Sequence, residues 1–224
     1  MKTLIQFFCI FCISFLCCHK ATLAQTFEIK GGANFMNVSE KNDVTIGTYK
    51  TNIGFHLGAD VDIPINTYLS IEPSVLLTTK GLLFVTAYPA ISKRTSTKIY
   101  YLEFPLLLKA NRAVGEYKET KLSVMAGPYI GFGVNGRTCI AKQAKTVEKS
   151  SFGLGKGTDY KQLDTGLTFG AGIQLKMTTL EVSYDVGLVN IYNDQIITLK
   201  NRVLKFSVGY SFGRPNNDYY YDDK

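Results

Sequence analysis

The chain has 224 residues, 46% of them hydrophobic and 19% charged, and carries a formal net charge of +7. That length fits one domain or at most two, and the apolar content excludes a disordered chain. Tyr and Phe at 14 each, together with 20 glycines, favour strands and tight packing over helices.

Lys2 precedes an apolar run, Leu4 to Cys18, broken only by Gln6 and Ser14. The run is too short and too interrupted for a membrane-spanning helix. Thr22 and Ala24 supply the small residues of a signal-peptidase site, so residues 1–24 read as a signal peptide cleaved after Ala24. Lipidation would use Cys17 or Cys18, but Ser14-Phe15-Leu16 lacks the small residue expected just ahead of such a cysteine. Removing this segment takes Lys2 and Lys20 and no acid, which lowers the charge to +5. It also takes Cys9, Cys12, Cys17 and Cys18, leaving Cys139 alone and no internal disulfide framework. An exposed unpaired thiol is the favoured reading of Cys139, ahead of a reactive or intermolecular one.

From Gln25 onward, apolar and polar residues alternate with period two. Phe27, Ile29, Ala33 and Phe35 oppose Glu28, Lys30, Gly32 and Asn34. Ile53, Phe55, Leu57, Ala59 and Val61 oppose Gly54, His56, Gly58 and Asp60. Leu69, Ile71, Val75 and Leu77 oppose Ser70, Glu72, Ser74 and Thr78. Tyr100, Leu102, Phe104, Leu106 and Leu108 oppose Glu103 and Lys109, with Leu107 out of pattern. Leu122 to Phe132 alternates with Ser123, Gly127, Tyr129 and Gly131. Leu167 to Leu175, Leu180 to Leu188 and Leu204 to Phe212 complete eight candidate strands. Each reaches the roughly 9–11 residues that a tilted transmembrane strand needs.

Alternation leaves open which face is inside. A soluble barrel buries the apolar face; an outer-membrane barrel buries the polar one. Gly32, Gly58, Gly127, Gly131, Gly170, Gly172 and Gly209 fall on the polar face, where a narrow lumen needs small residues. The apolar faces are almost free of charge, as lipid contact demands. The chain therefore reads as all-β, an eight-stranded antiparallel up-and-down transmembrane β-barrel over residues 25–212.

Connection lengths agree. Long segments at Asn37–Tyr49, Gly81–Lys98, Asn135–Gln162 and Asn190–Lys200 alternate with short turns at Pro64–Asn66, Asn111–Thr120 and Lys176–Thr179. Outer-membrane barrels place short turns in the periplasm and long loops outside, which puts both chain ends in the periplasm. Pro73, Pro105 and Pro128 lie within strands and each removes a ladder donor, so bulges are expected there. Residues 213–224 form a short acidic, Tyr-rich tail expected to be disordered in the periplasm.

Tyr100-Tyr101-Leu102-Glu103-Phe104-Pro105-Leu106-Leu107-Leu108-Lys109 resembles the "YLEIPLLLK" strand of the PorT-like, porin-family small outer-membrane barrels. Asp164-Thr165-Gly166-Leu167 with Gly170-Ala171-Gly172 resembles that family's penultimate hairpin, and Asn201–Leu204 with Gly209–Phe212 resembles its closing strand. The resemblance implies an integral outer-membrane barrel. By analogy with one member that acts in protein secretion and gliding, it also implies an accessory role in a secretion system. The tail after Phe212 departs from the pattern, since many such barrels end on an aromatic residue read by the barrel-assembly machinery.

The polar face carries Glu28, Lys30, His56, Asp60, Glu72, Glu103, Lys109, Asp164, Glu181, Asp185 and Lys205. These residues read as a conductive or ligand-binding lumen, or as an interior plugged by ion pairs; a barrel of eight strands favours the plug. His56 and Asp60 lie four residues apart on one strand, roughly 13 Å, too far for a catalytic hydrogen bond. No Cys or His cluster suggests a metal site, and no cofactor is expected. Gly153-Leu154-Gly155-Lys156-Gly157 lacks the strand–helix context of a phosphate-binding loop and reads as flexible loop.

The external loops are basic, with Lys93, Arg94 and Lys98 in one and Arg137, Lys142, Lys145, Lys149, Lys156 and Lys161 against Glu148 and Asp159 in the next. Contact with lipopolysaccharide phosphates and a solvated surface with no dedicated partner are equally open readings. The expected function is a non-enzymatic outer-membrane barrel with a structural, surface-interaction or assembly role. Its expected partners are outer-membrane lipid, the assembly machinery during insertion and an unidentified envelope protein, with no nucleic acid. A narrow solute channel is the alternative.

Overall fold

The computed structural model describes residues 25–41, 47–88, 91–114, 120–142, 145–152, 160–193 and 198–212. The expected signal peptide, the tail after Phe212 and the Gly153–Gly157 segment lie outside them. Strands appear where the period-two pattern runs. In chain order they are β1 (Thr26–Lys41), β2 (Thr48–Lys50), β3 (Asn52–Pro64), β4 (Leu69–Tyr88) and β5 (Ile91–Val114). Then come β6 (Thr120–Lys142), β7 (Lys145–Phe152), β8 (Leu163–Leu175), β9 (Thr178–Gly187) and β10 (Thr198–Phe212).

Eight of these form a closed antiparallel ring. β1 pairs with β3, β3 with β4, β4 with β5, β5 with β6 and β6 with β8. β8 then pairs with β9, β9 with β10, and β10 with β1 to close it. Closure leaves no sheet edge inside a bilayer, where an unpaired backbone group costs several kcal/mol. β2 and β7 stand outside the ring, pairing only with the far ends of β4 and β6.

Which side is inside is settled by exposure. All eleven polar-face residues named from the sequence are buried, whereas Phe27, Leu57, Val75, Leu106, Val124, Phe169 and Val208 are exposed. Leu107, out of pattern in the sequence, points inward and is buried.

Two expectations need correction. Gly81–Lys98 is not a loop: β4 and β5 continue through it as a regular hairpin, with Gly81 opposite Lys98 and Tyr88 opposite Ile91. Much of Asn135–Gln162 is likewise strand, because β6 runs on to Lys142 and β7 pairs back onto it. At about 3.3 Å per residue, the 24 residues of β5 are roughly twice what a bilayer requires. These ends project opposite the termini, where Phe27 pairs with Phe212, so by the loop rule for such barrels the projection is extracellular.

The prolines also behave differently from expectation. Pairing is interrupted beside Pro73, Pro105 and Pro128, yet register resumes unshifted on either side. Proline deletes a donor there without inserting a residue. The shift in β5–β6 comes instead between Tyr100 and Tyr101, opposite Gly133–Asn135. Val134 is the extra residue, and the bulge turns the inward phase of β6 from Gly133 to Gly136.

At the short end, the Pro64–Asn66 turn forms as expected. The Asn66 side-chain oxygen accepts from the backbone N–H of Tyr68 and of Leu69, both at 2.8 Å.

Candidate functional site

Alternation on eight strands brings into the lumen charges that are up to 151 residues apart in sequence, and they assort into two tiers. Nearer the chain ends, Lys30 on β1 reaches Glu72 at 2.9 Å, Asp60 at 3.1 Å and Glu181 at 3.4 Å. Lys109 on β5 takes the second oxygen of Glu72 at 2.5 Å. Glu28 accepts from the Thr179 hydroxyl at 2.6 Å and the Ser211 hydroxyl at 2.8 Å. The Glu28 carboxylate lies where any side chain on Gly209 would stand, which accounts for glycine there.

Nearer the outer end, Lys80 on β4 is fully buried among Glu103 at 2.5 Å, Asp164 at 3.2 Å and Asp185 at 3.2 Å. Lys205 joins the same group, 2.7 Å from Glu103 and 2.8 Å from Asp185. The Lys80 ammonium also lies 3.8 Å from the centre of the Tyr129 ring. Asn201 and the Tyr129 hydroxyl donate to Asp164, at 3.0 and 3.2 Å, and the Thr168 hydroxyl donates to Asp185 at 2.8 Å. Each buried ion thus meets opposite charge or donors, the condition under which burial is tolerated.

His56 lies between the tiers. Asn34 shares its two amide hydrogens among Phe55 O, Thr78 Oγ1 and Thr79 O, so its oxygen accepts from His56 Nδ1 at 2.7 Å. His56 Nε2 accepts from the Ser207 hydroxyl at 2.9 Å. Both ring nitrogens are used in holding strands together, with no carboxylate at either. The space left beside His56, lined by Ser74, Leu107, Thr168 and Ser183 among others, is about 10 Å³, room for a single water.

Above the charged tiers the inward face becomes apolar. Val38, Leu82, Ile191 and Leu199 form a buried cluster, with Tyr49, Phe84 and Tyr192 packed against it. Met36, Ile99 and Val203 are also buried. Burial pushes the Tyr49 phenol up to about 12, with the Glu40 carboxylate adding to the effect.

All eleven lumen residues expected from the sequence are brought inside, and ten of them join the charge tiers or their hydrogen bonds, with His56 between. Sequence reading missed Lys80, the cation at the centre of the outer tier, because the strand was ended at Thr78. Lys80 continues the parity of Glu72, Ser74 and Thr78, which was the available signal. The apolar cap was missed for the same reason. Of the basic residues, Lys93, Arg94 and Arg137 are exposed and Lys161 is half-buried. Lys142, Lys145 and Lys149 fall on strands by their backbone, and Lys156 lies outside the described residues.

A closed ring with an apolar outer wall and an ion-paired interior defines a transmembrane β-barrel. Residues 23–193 match the outer membrane protein β-barrel domain family, and the chain belongs to that family. It is an integral outer-membrane protein. Among solved structures it is similar to the attachment invasion locus protein Ail of Yersinia pestis at 18% identity, covering 84% of this chain and 98% of that one, with a TM-score of 0.39. It is also similar to OprG of Pseudomonas aeruginosa at 13% identity, covering 85% and 97%, with a TM-score of 0.48. Neisserial surface protein A is similar at 13% identity, covering 83% and 97%, with a TM-score of 0.42. No curated protein matches the chain.

Proposed function

We propose that this protein is a non-conducting, non-enzymatic barrel whose work is done on its outer surface. The observation that carries this reading is the lumen. Two tiers of ion pairs fill it, an apolar cluster stands above them, and the space beside His56 admits one water. A solute would have to break several buried ion pairs at once, each costing several kcal/mol. The material that other designs would place in pore-lining loops is here invested in strands that project beyond the membrane. Export with cleavage after Ala24, and insertion by the barrel-assembly machinery, are part of the same reading.

A second reading, an accessory component of a secretion system, draws on the PorT-like strand Tyr100–Lys109. In that strand Glu103 and Lys109 serve the two tiers and the other faces meet lipid, so the motif itself is accounted for by building the barrel.

Planar-bilayer recording of the full chain tests the leading reading. No unitary current steps are expected at physiological salt. Discrete, reproducible steps would instead establish a narrow channel and overturn the sealed lumen.

A further inference from the structure

Outside the lumen, the described side chains on the outward face of the projecting end are basic where they are charged. On the projecting wall Lys50 (β2), Arg94 and Lys98 (β5) and Arg137 (β6) share the outward face, and Lys50, Arg94 and Arg137 are exposed. Lys98 follows Tyr100 and Leu102 on the same face, so it stands about 7 Å along the strand above the last residue of the apolar band. No described acidic side chain shares that face. The lumen acids are buried, Asp62 pairs with Lys121 at the other end, and Glu40 follows Met36 and Val38 on the inward face of β1.

Two cations also share one level of the wall, since Lys98 on β5 and Arg137 on β6 are direct cross-strand partners. Gly81, at φ 150°, leaves the outer surface of β4 bare where Lys98 crosses it to donate to Ile53 O at 2.6 Å. That bond uses one of three ammonium donors and lays the side chain across β4 toward β3, leaving two donors for an anion.

We propose that this wall binds the phosphates of the glycolipid forming the outer leaflet, with Lys98 and Arg137 at the centre and Lys50 and Arg94 flanking them. The inference rests on the surface-directed reading above. Apolar residues Tyr100, Leu102 and Phe132 below the cations meet acyl chains, and the next level up is where a lipid headgroup carries its phosphate. Arg supplies a planar fork matched to phosphate oxygens and Lys a point charge with donors to spare.

The test uses the full chain folded into neutral phosphatidylcholine vesicles, with and without bis-phosphorylated lipid A. Thermal midpoints are read from loss of the fast-migrating unboiled gel band. Lipid A is expected to raise the midpoint of the parent protein, and K98Q combined with R137Q to lose most of that rise. Lys98→Arg is expected to keep it, as is Arg112→Gln, which removes an exposed cation at the opposite end. A normal unboiled band in neutral vesicles shows that each variant is folded. If the double variant kept the full rise, or if dephosphorylated lipid A stabilised equally well, the proposal would be wrong. A rise produced by heparin but not by lipid A would assign the wall to a soluble polyanion and overturn the lipid assignment. Channel activity would bear on the sealed lumen alone and leave this result standing.

Discussion

Along a single strand the molecule builds two opposite kinds of protein. In the membrane section β1 turns Glu28, Lys30 and Asn34 inward and Phe27, Ile29 and Phe35 outward. A few residues later the same faces carry Met36 and Val38 inward and Asn37 and Ser39 outward. β10 repeats the inversion: Lys205, Ser207 and Ser211 are buried below, Val203 and Leu199 above, while Phe206 and Val208 outside give way to Arg202 and Lys200. Backbone geometry does not change. What changes is the medium on the outer side, hydrocarbon below and water above. A strand facing lipid spends its apolar residues on the wall and must pair its polar ones inside. Past the bilayer, the ordinary arrangement of an apolar interior returns.

The comparison can be broken at its costliest point by Lys80→Met. Removing that cation leaves Glu103, Asp164 and Asp185 clustered in the outer tier with Lys205 as their remaining ammonium. A loss of about 3–5 kcal/mol is expected in urea unfolding from lipid vesicles. Retention of parental stability would mean that the tier is not the keystone of the lumen.

A charge placed on each outer wall sharpens the contrast between the media. Leu57→Arg, on the lipid-facing side of β3, is expected to cost about 2–4 kcal/mol in the same assay. Ser39→Glu, on the exposed outward face of the projection and opposite Lys200, is expected to change stability by less than about 0.5 kcal/mol. Equal costs would contradict the change of medium between Leu57 and Ser39.

Truncating the cap probes the upper section alone. Leu82→Ala is expected to cost about 2–3 kcal/mol of local stability. Hydrogen exchange should show faster opening for the amides of β2 and the outer ends of β4 and β5, with the membrane sections of β9 and β10 unaffected. The smallest expected effect is alkaline. The Tyr49 phenol is raised from its ordinary 10 to about 12, so it favours the folded cap fully below pH 10. That contribution is lost as pH rises from 10 toward 12. The opening rates of the cap should therefore rise over that window in the parent protein, and Tyr49→Phe should remove that part of the pH dependence.

Much of this was legible in the residues because period-two alternation is local. Glu28, His56, Glu103 and Asp185 each announce their face by their immediate neighbours, and counting parity was enough to place them inside. Lys80 escaped because Thr79, Gly81, Leu82 and Leu83 blur the alternation just where the surrounding medium changes. An apolar residue there no longer marks the outer face. The expected bulges at Pro73, Pro105 and Pro128 failed for a different reason: a missing donor interrupts pairing but does not insert a residue, whereas the real shift, at Val134, carries no residue type that signals it.

By itself the sequence determined the class of fold, the membrane wall and the identity of the lumen charges other than Lys80, since these follow from alternation, glycine placement and the absence of charge on one face. Only the tertiary structure decided which of those charges meet. Lys30 finds Glu181 and Lys205 finds Glu103 across more than a hundred residues, a pairing set by register around a closed ring. It also decided that the basic residues of the supposed loops line up on one wall, Lys98 against Arg137. Cross-strand position depends on where the hairpins turn, and no local pattern encodes that distance.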